Sequence, residues 1–184
     1  MLADVATELS DYPCGEVVRV VDCRRLKVDR KNRANGHLGS HPWNLAAILA
    51  SAQHRAWRVS QYLDLYTMLL DQKMILSDED MSQSDEGDEH MVKSVLHFCE
   101  KGTHRSYSWT MFEGAILAEM GFNVLINPLC KGWHMKHCAN PNRDSCDKCA
   151  LTNPDVKAIL YACVDEFYEV MCAAEPLLAV ASHA

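Results

Sequence analysis

Apolar and polar positions alternate along this chain in two rhythms, one of helices and one of strands. Between Pro42 and Leu70 the positions Leu45, Leu49, Ala52, Ala56, Val59, Leu63, Tyr66 and Leu70 recur at steps of four and three. That spacing predicts one buried helical face, carried by one long helix or by two broken near Gln61. Pro42 suits the first turn, where its missing N–H is not needed. Glu16 to Leu26 (EVVRVVDCRRL) is valine-rich and predicts a buried strand ending in charge, followed by a polar loop over 27–40. Val92 to Phe98 predicts a second strand, and Ser106 to Met120 a helix with Trp109, Phe112, Ile116 and Met120 on its apolar side. Gly121 then fits a helix cap, and Asn123 to Leu129 predicts a third strand. Asn153-Pro154-Asp155 opens a last helix over 154–174, with Val156, Leu160, Cys163, Phe167 and Met171 as its stripe. Strand, helix and strand in close succession predict one small α/β domain over 1–184, with an at least partly parallel sheet and flanking helices.

Charge changes this picture at one place. The formal net charge of −7 comes from residues 78–89, which hold seven acids and no base, so the other 18 acids balance the 18 bases. The surrounding stretch 76–90, serine-rich and nearly without apolar groups, reads as an acidic flexible insertion. Six bases fall within 24–33, a cluster that can attract phosphates or serve as a solvated loop. No run of 18 apolar residues exists, so no membrane span is expected. The first ten residues carry neither a basic stretch nor an apolar block, which points away from a signal peptide and towards an intracellular, cytoplasmic protein. Nine cysteines in that setting favour thiol or metal chemistry over a disulfide framework.

The first candidate site is the segment Cys99-Glu100-Lys101-Gly102-Thr103-His104-Arg105-Ser106, a C-x-x-G-x-x-R-S pattern between a predicted strand and a predicted helix. Backbone N–H groups converge at such a junction, and the helix dipole adds about half a positive charge. Gly102 permits the tight turn, Arg105 offers a planar fork for two oxygens of a phosphate, and Ser106 can cap the helix. Cys99 would have its thiolate favoured by the same field. Gly102, Thr103, His104, Arg105 and Ser106 are therefore the candidate ligand-binding residues. Arg24, His37 and His41 join them, because the loop after the first strand should open at the same end of the sheet.

The pattern is similar to the phosphate loop of cysteine-dependent phosphatases. More closely, the chain resembles the C-terminal domain of the RapZ family, bacterial adapters of an RNA-degrading enzyme. That domain has a strand ending in Asp-Cys-Arg and, far downstream, a Cys-x-Gly-Gly-x-His-Arg-Ser loop. Here Val20-Val21-Asp22-Cys23-Arg24 and Gly102-Thr103-His104-Arg105-Ser106 carry the likeness, which spans roughly 17–134, with Lys101 where the family has glycine. The resemblance implies a phosphate or phosphosugar pocket in the loop, oligomerisation, and contact with structured RNA. Three functions follow as expectations. The first is a non-covalent domain for a phosphorylated ligand, whether phosphosugar, nucleotide or RNA phosphate. The second is a cysteine-dependent phosphatase, with Cys99 as nucleophile and Arg105 as clamp. The third is a non-catalytic subunit of a larger assembly. Phe98 stands where phosphatases of this type usually carry histidine, and no aspartate is marked as a general acid, so binding ranks above hydrolysis.

The second candidate site is the Cys/His-rich stretch 130–149. The pair Cys146-x-x-Cys149 can bring two thiolates to one ion, and a tetrahedral zinc needs four ligands. Cys138, Cys146 and Cys149 are expected to supply three, with His134, Cys130 or His137 as the fourth. Such a zinc would be structural, holding a turn-rich polar loop together in place of a core.

Overall fold

The computed structural model describes residues 16–26, 37, 39–72, 92–99, 105–126 and 146–181, with side chains as far as residue 174. The acidic stretch 76–90, the loop centre 100–104 and most of the Cys/His stretch, 130–145, lie outside the described residues. The elements in order are β1 (Glu16–Asp22), a tight helical turn (Cys23–Arg25), α1 (Pro42–Leu49), a second such turn (Ala52–His54), α2 (Arg55–Asp71), β2 (Lys93–Phe98), α3 (Arg105–Glu119) and α4 (Pro154–Ala181). β1 and β2 pair in parallel, and the crossover that a parallel pair requires carries α1 and α2. The fold class is therefore α/β, as the alternation of strand and helix patterns predicts.

Contacts divide the chain into two compact units. One joins Met1–Val21 to Leu63–Leu96, and the other joins Asp22–Tyr62 to His97–Ala184. In the first unit, Lys93 Nζ ties the two strands by donating to Glu16 Oε2 at 2.7 Å, and it also reaches Gln72 Oε1 at 3.1 Å. β1 is not the buried strand its valines predict. Val21 is buried, whereas Val17 and Val20 are exposed. A sheet with two strands among the described residues gives too little cover to bury both faces of either.

In the second unit α1, α3 and α4 pack on one another, and α3 also packs on the Cys23–Arg25 turn. Its core is Leu45, Ile48, Tyr62, Trp109, Phe112, Ile116, Val156, Cys163 and Phe167, all buried. The Trp109 ring sits at the centre, stacked on Tyr62 at 5.7 Å and edge-on to Trp57 at 4.7 Å, spacings at which aromatic pairs attract.

The helix break falls at 50–54, not near Gln61. Arg58 supplies the reason. Its buried guanidinium donates from Nη1 to the carbonyls of Ile48 and Ser51, both at 3.0 Å, and so satisfies the end of α1. The same side chain sets which face of α2 turns inward. Arg58, Tyr62, Leu65 and Leu69 are buried, and the expected positions Val59, Leu63, Tyr66 and Leu70 are at most half-buried. A charged residue on the core face hides that face from a hydropathy count.

Residues 122–126 join no sheet, so the described part of the expected third strand is not a strand. Val124 and Ile126 lie over Gly114 of α3, where an added Cβ would come within 2.9 Å of Ile126 Cδ1. The segment covers the helix and makes no ladder. The end of α3 follows the sequence closely. Phe122 N–H bonds Leu117 O and Gly121 N–H bonds Ala118 O, the paired bonds of a Schellman cap, with Gly121 at φ +90°. Gly121→Ala should therefore lower stability by about 1 kcal/mol, read as a shift in the midpoint of chemical denaturation. An unchanged midpoint would mean the cap bears no load. At the start of α4, Asn153 Oδ1 accepts from Asp155 N–H at 2.9 Å, the side-chain cap expected there.

Candidate functional site

The described ends of the candidate segment 99–106 are Cys99, just after β2, and Arg105 and Ser106, the first two residues of α3. Cys99 Sγ lies 3.3 Å from Ser106 Oγ, so the thiol and the hydroxyl meet. Arg105 Nη1 donates to the carbonyls of Arg24 at 3.0 Å and Leu26 at 3.1 Å. Part of this guanidinium is thus a brace between the start of α3 and the turn that ends β1, a role the sequence does not disclose. Arg24 is exposed and clasps Asp22 with Nε at 2.9 Å and Nη2 at 2.7 Å. That bond, the largest influence on Asp22, holds its carboxyl down at about 2. Arg24 also lies over the Phe98 ring at 5.2 Å, within reach of a cation–π attraction. Gly102, Thr103 and His104 lie outside the described residues.

Where β2 and α3 pack together there is a buried polar group absent from the expected site residues. Glu113 Oε2 lies 2.6 Å from His97 Nε2, and Glu113 Oε1 accepts from Trp109 Nε1 at 2.8 Å, with both side chains of the His–Glu pair almost fully buried. The available signal was positional. Glu113 lies four residues after Trp109 and three before Ile116, inside the apolar stripe, where an acid is out of place unless it has partners. Burial above all, then the charges of Glu113 and Cys99, push the Cys23 thiol up, so Cys23 behaves as a small buried hydrophobe.

The third feature is a group of ligand atoms. His37, Cys146 and Cys149 bring one nitrogen and two sulfurs within 4.8 Å of one another, an arrangement that can hold a metal ion. His37 Nδ1 is 3.6 Å from Cys146 Sγ and 3.5 Å from Cys149 Sγ. Cys146 and Cys149 are two of the expected metal ligands. His37, expected at the anion pocket, stands with them. Cys130, His134, His137 and Cys138 lie outside the described residues. Burial first, then the charge of Lys148, lower the His37 pKa and favour the neutral imidazole that metals bind.

His41, the other expected pocket histidine, is buried as the cap of α1: its Nδ1 accepts from Trp43 N–H at 3.2 Å. Burial, then His37 and Lys148, lower its pKa to about 4. Between the two histidines in sequence, Gly39 O accepts from the buried Ser108 Oγ at 2.7 Å, fixing this segment to the first turn of α3. Ser40 Oγ is buried without a hydrogen-bond partner among the described residues.

The fold and these side chains define an α/β protein with a candidate His/Cys metal centre, no helix among the described residues being long and apolar enough to cross a membrane. Compared with protein-family models, curated proteins and solved structures, the chain matches none.

Proposed function

We propose that this chain is a zinc-stabilised domain that recognises a phosphorylated ligand (a phosphosugar, a nucleotide or an RNA phosphate) at the start of α3. The observation that carries the reading is the 3.3 Å approach of Cys99 Sγ to Ser106 Oγ where β2 ends and a helix of 15 residues begins, with Arg105 as the first residue of that helix. An anion seated there gains from the helix dipole and from the positive charge of Arg105, whose guanidinium is anchored on the Arg24 and Leu26 carbonyls. The likeness of 99–106 to RapZ-like loops supports the same ligand class. Zinc fits the metal group by chemistry, since two thiolates and one neutral imidazole are its usual partners.

A second reading is favoured by the 3.3 Å approach of Ser106 Oγ to Cys99 Sγ. A hydroxyl that donates to sulfur stabilises the thiolate, which is the form a cysteine phosphatase needs. One experiment separates the two. Inorganic phosphate should protect the zinc-loaded chain from thermal unfolding, by about 2.7 kcal/mol at a concentration 100 times Kd. Arg105→Lys, which keeps the charge and loses the fork, should weaken that protection at least tenfold in phosphate concentration. Turnover of an aryl phosphate that vanishes in Cys99→Ser would establish the phosphatase. Protection without turnover would establish the binder. Neither protection nor turnover would refute both.

A further inference from the structure

We infer that the metal centre is a long-range staple, with His37 Nδ1, Cys146 Sγ and Cys149 Sγ filling three of the four positions around one tetrahedral ion of the zinc class. It would tie the segment entering α1 to the turn entering α4. This rests on the zinc reading above and adds to the expected ligands Cys146 and Cys149 one from the other half of the sequence.

The distances carry the first step. With zinc–sulfur near 2.3 Å and zinc–nitrogen near 2.05 Å, tetrahedral angles separate N and S by about 3.55 Å. The observed separations are 3.6 and 3.5 Å. One imidazole nitrogen thus stands at the tetrahedral edge length from both sulfurs, a coincidence that neither pair alone would make. Two thiol protons leave to solvent as the sulfurs bind, and the imidazole binds through its Nδ1 lone pair.

The second step is where the ligands are anchored. His37 lies 109 and 112 residues from its two sulfur partners. The thiolate turn is closed by Cys149 N–H to Cys146 O at 2.8 Å and Ala150 N–H to Cys146 O at 2.9 Å. Asn153, the cap of α4, fastens that turn from outside by donating to Asp147 O at 2.9 Å. On the other side, His37 is two residues from Gly39, which is fixed to Ser108 of α3, and its ring lies 4.5 Å from that of His41, the cap of α1. The ion would therefore sit beside segments anchored to α1, α3 and α4, three helices that pack on one another. A cross-link there joins ends that are remote in sequence, so it restrains the unfolded chain far more than a link within one short loop. Metal binding and folding of this unit become one equilibrium.

The test uses the full chain titrated with zinc, and with cobalt as a spectroscopic stand-in. Wild type should bind one equivalent, show thiolate-to-cobalt charge-transfer bands, and gain thermal stability with zinc. In His37→Ala, zinc affinity should fall more than about 100-fold, beyond the loss typical of outer-shell changes, and the zinc-dependent gain in Tm should disappear. Equal affinity and an unchanged cobalt spectrum in His37→Ala would overturn the staple while leaving a local zinc loop standing. Failure of wild type to bind either metal would remove the zinc reading and the staple together. Should the variant not fold, long-range proton–nitrogen NMR on wild type reads the ring directly. A large Nδ1 shift on adding zinc supports ligation, and an unmoved Nδ1 refutes it.

Discussion

Glu166→Ala should lower the stability of the protein by about 3–5 kcal/mol, the usual cost of leaving a buried charge without its partner. Arg58 Nε and Nη2 donate to the two Glu166 oxygens at 2.8 and 2.7 Å, and Tyr62 Oη donates to Oε2 at 2.9 Å. The arginine is almost fully buried, and burial alone would work against its charge. Without the carboxylate, one guanidinium edge and one hydroxyl lose their acceptor inside the core. Arg58→Met with Glu166→Met should recover only part of the loss, because Ile48 O and Ser51 O would still lack the donor that ends α1. The pair also has a pH signature. Burial raises the Glu166 pKa, but hydrogen bonds from Arg58 and Tyr62 outweigh it and the net shift is down. A depressed folded-state pKa means the stabilisation is complete above the unfolded value, about 4.3, and is lost as pH falls through the lower folded value. Denaturation midpoints measured from pH 7 down to acid should therefore fall less steeply in Glu166→Gln than in wild type. Parallel slopes would contradict the assignment.

The second large effect belongs to Glu113. Glu113→Ala should cost about 3 kcal/mol in chemical denaturation, since it removes the acceptor of both Trp109 Nε1 and His97 and leaves a void beside Trp109. Glu113→Gln, which keeps one carbonyl oxygen, should cost less than half of that. His97 is the penultimate residue of β2, two before Cys99, which makes this carboxylate a support for the strand end that leads into 99–106. A variant as stable as wild type would mean the buried pair is incidental.

These two residues also mark where sequence legibility stopped. α3 and its Gly121 cap, the Asn153-Pro154 start of α4, and the Pro42 start of α1 were readable, because periodicity, glycine at positive φ and side-chain caps are local properties. What escaped depends on partners far along the chain. Arg58 turned the buried face of α2 away from the hydropathy stripe, because Glu166 lies 108 residues on. Val124 and Ile126 have the composition of a strand, but they lie over Gly114 of α3. At the site, Cys146 and Cys149 were legible from their spacing. For His37 the sequence suggests only the candidate phosphate site, since nothing near it in sequence points to thiols more than a hundred residues away. The brace made by Arg105 was invisible for the same reason. Two carbonyls about eighty residues upstream leave no mark on a motif.

The central claim, that negative charge is held where β2 gives way to α3, is tested most directly by nitrogen–proton NMR. The zinc-loaded full chain would be titrated with inorganic phosphate at low ionic strength. Saturable shifts centred on the amides of Cys99, Arg105 and Ser106, reduced in Arg105→Lys, are the expected result. Shifts that never saturate, or that spread evenly over surface lysines and arginines, would contradict it.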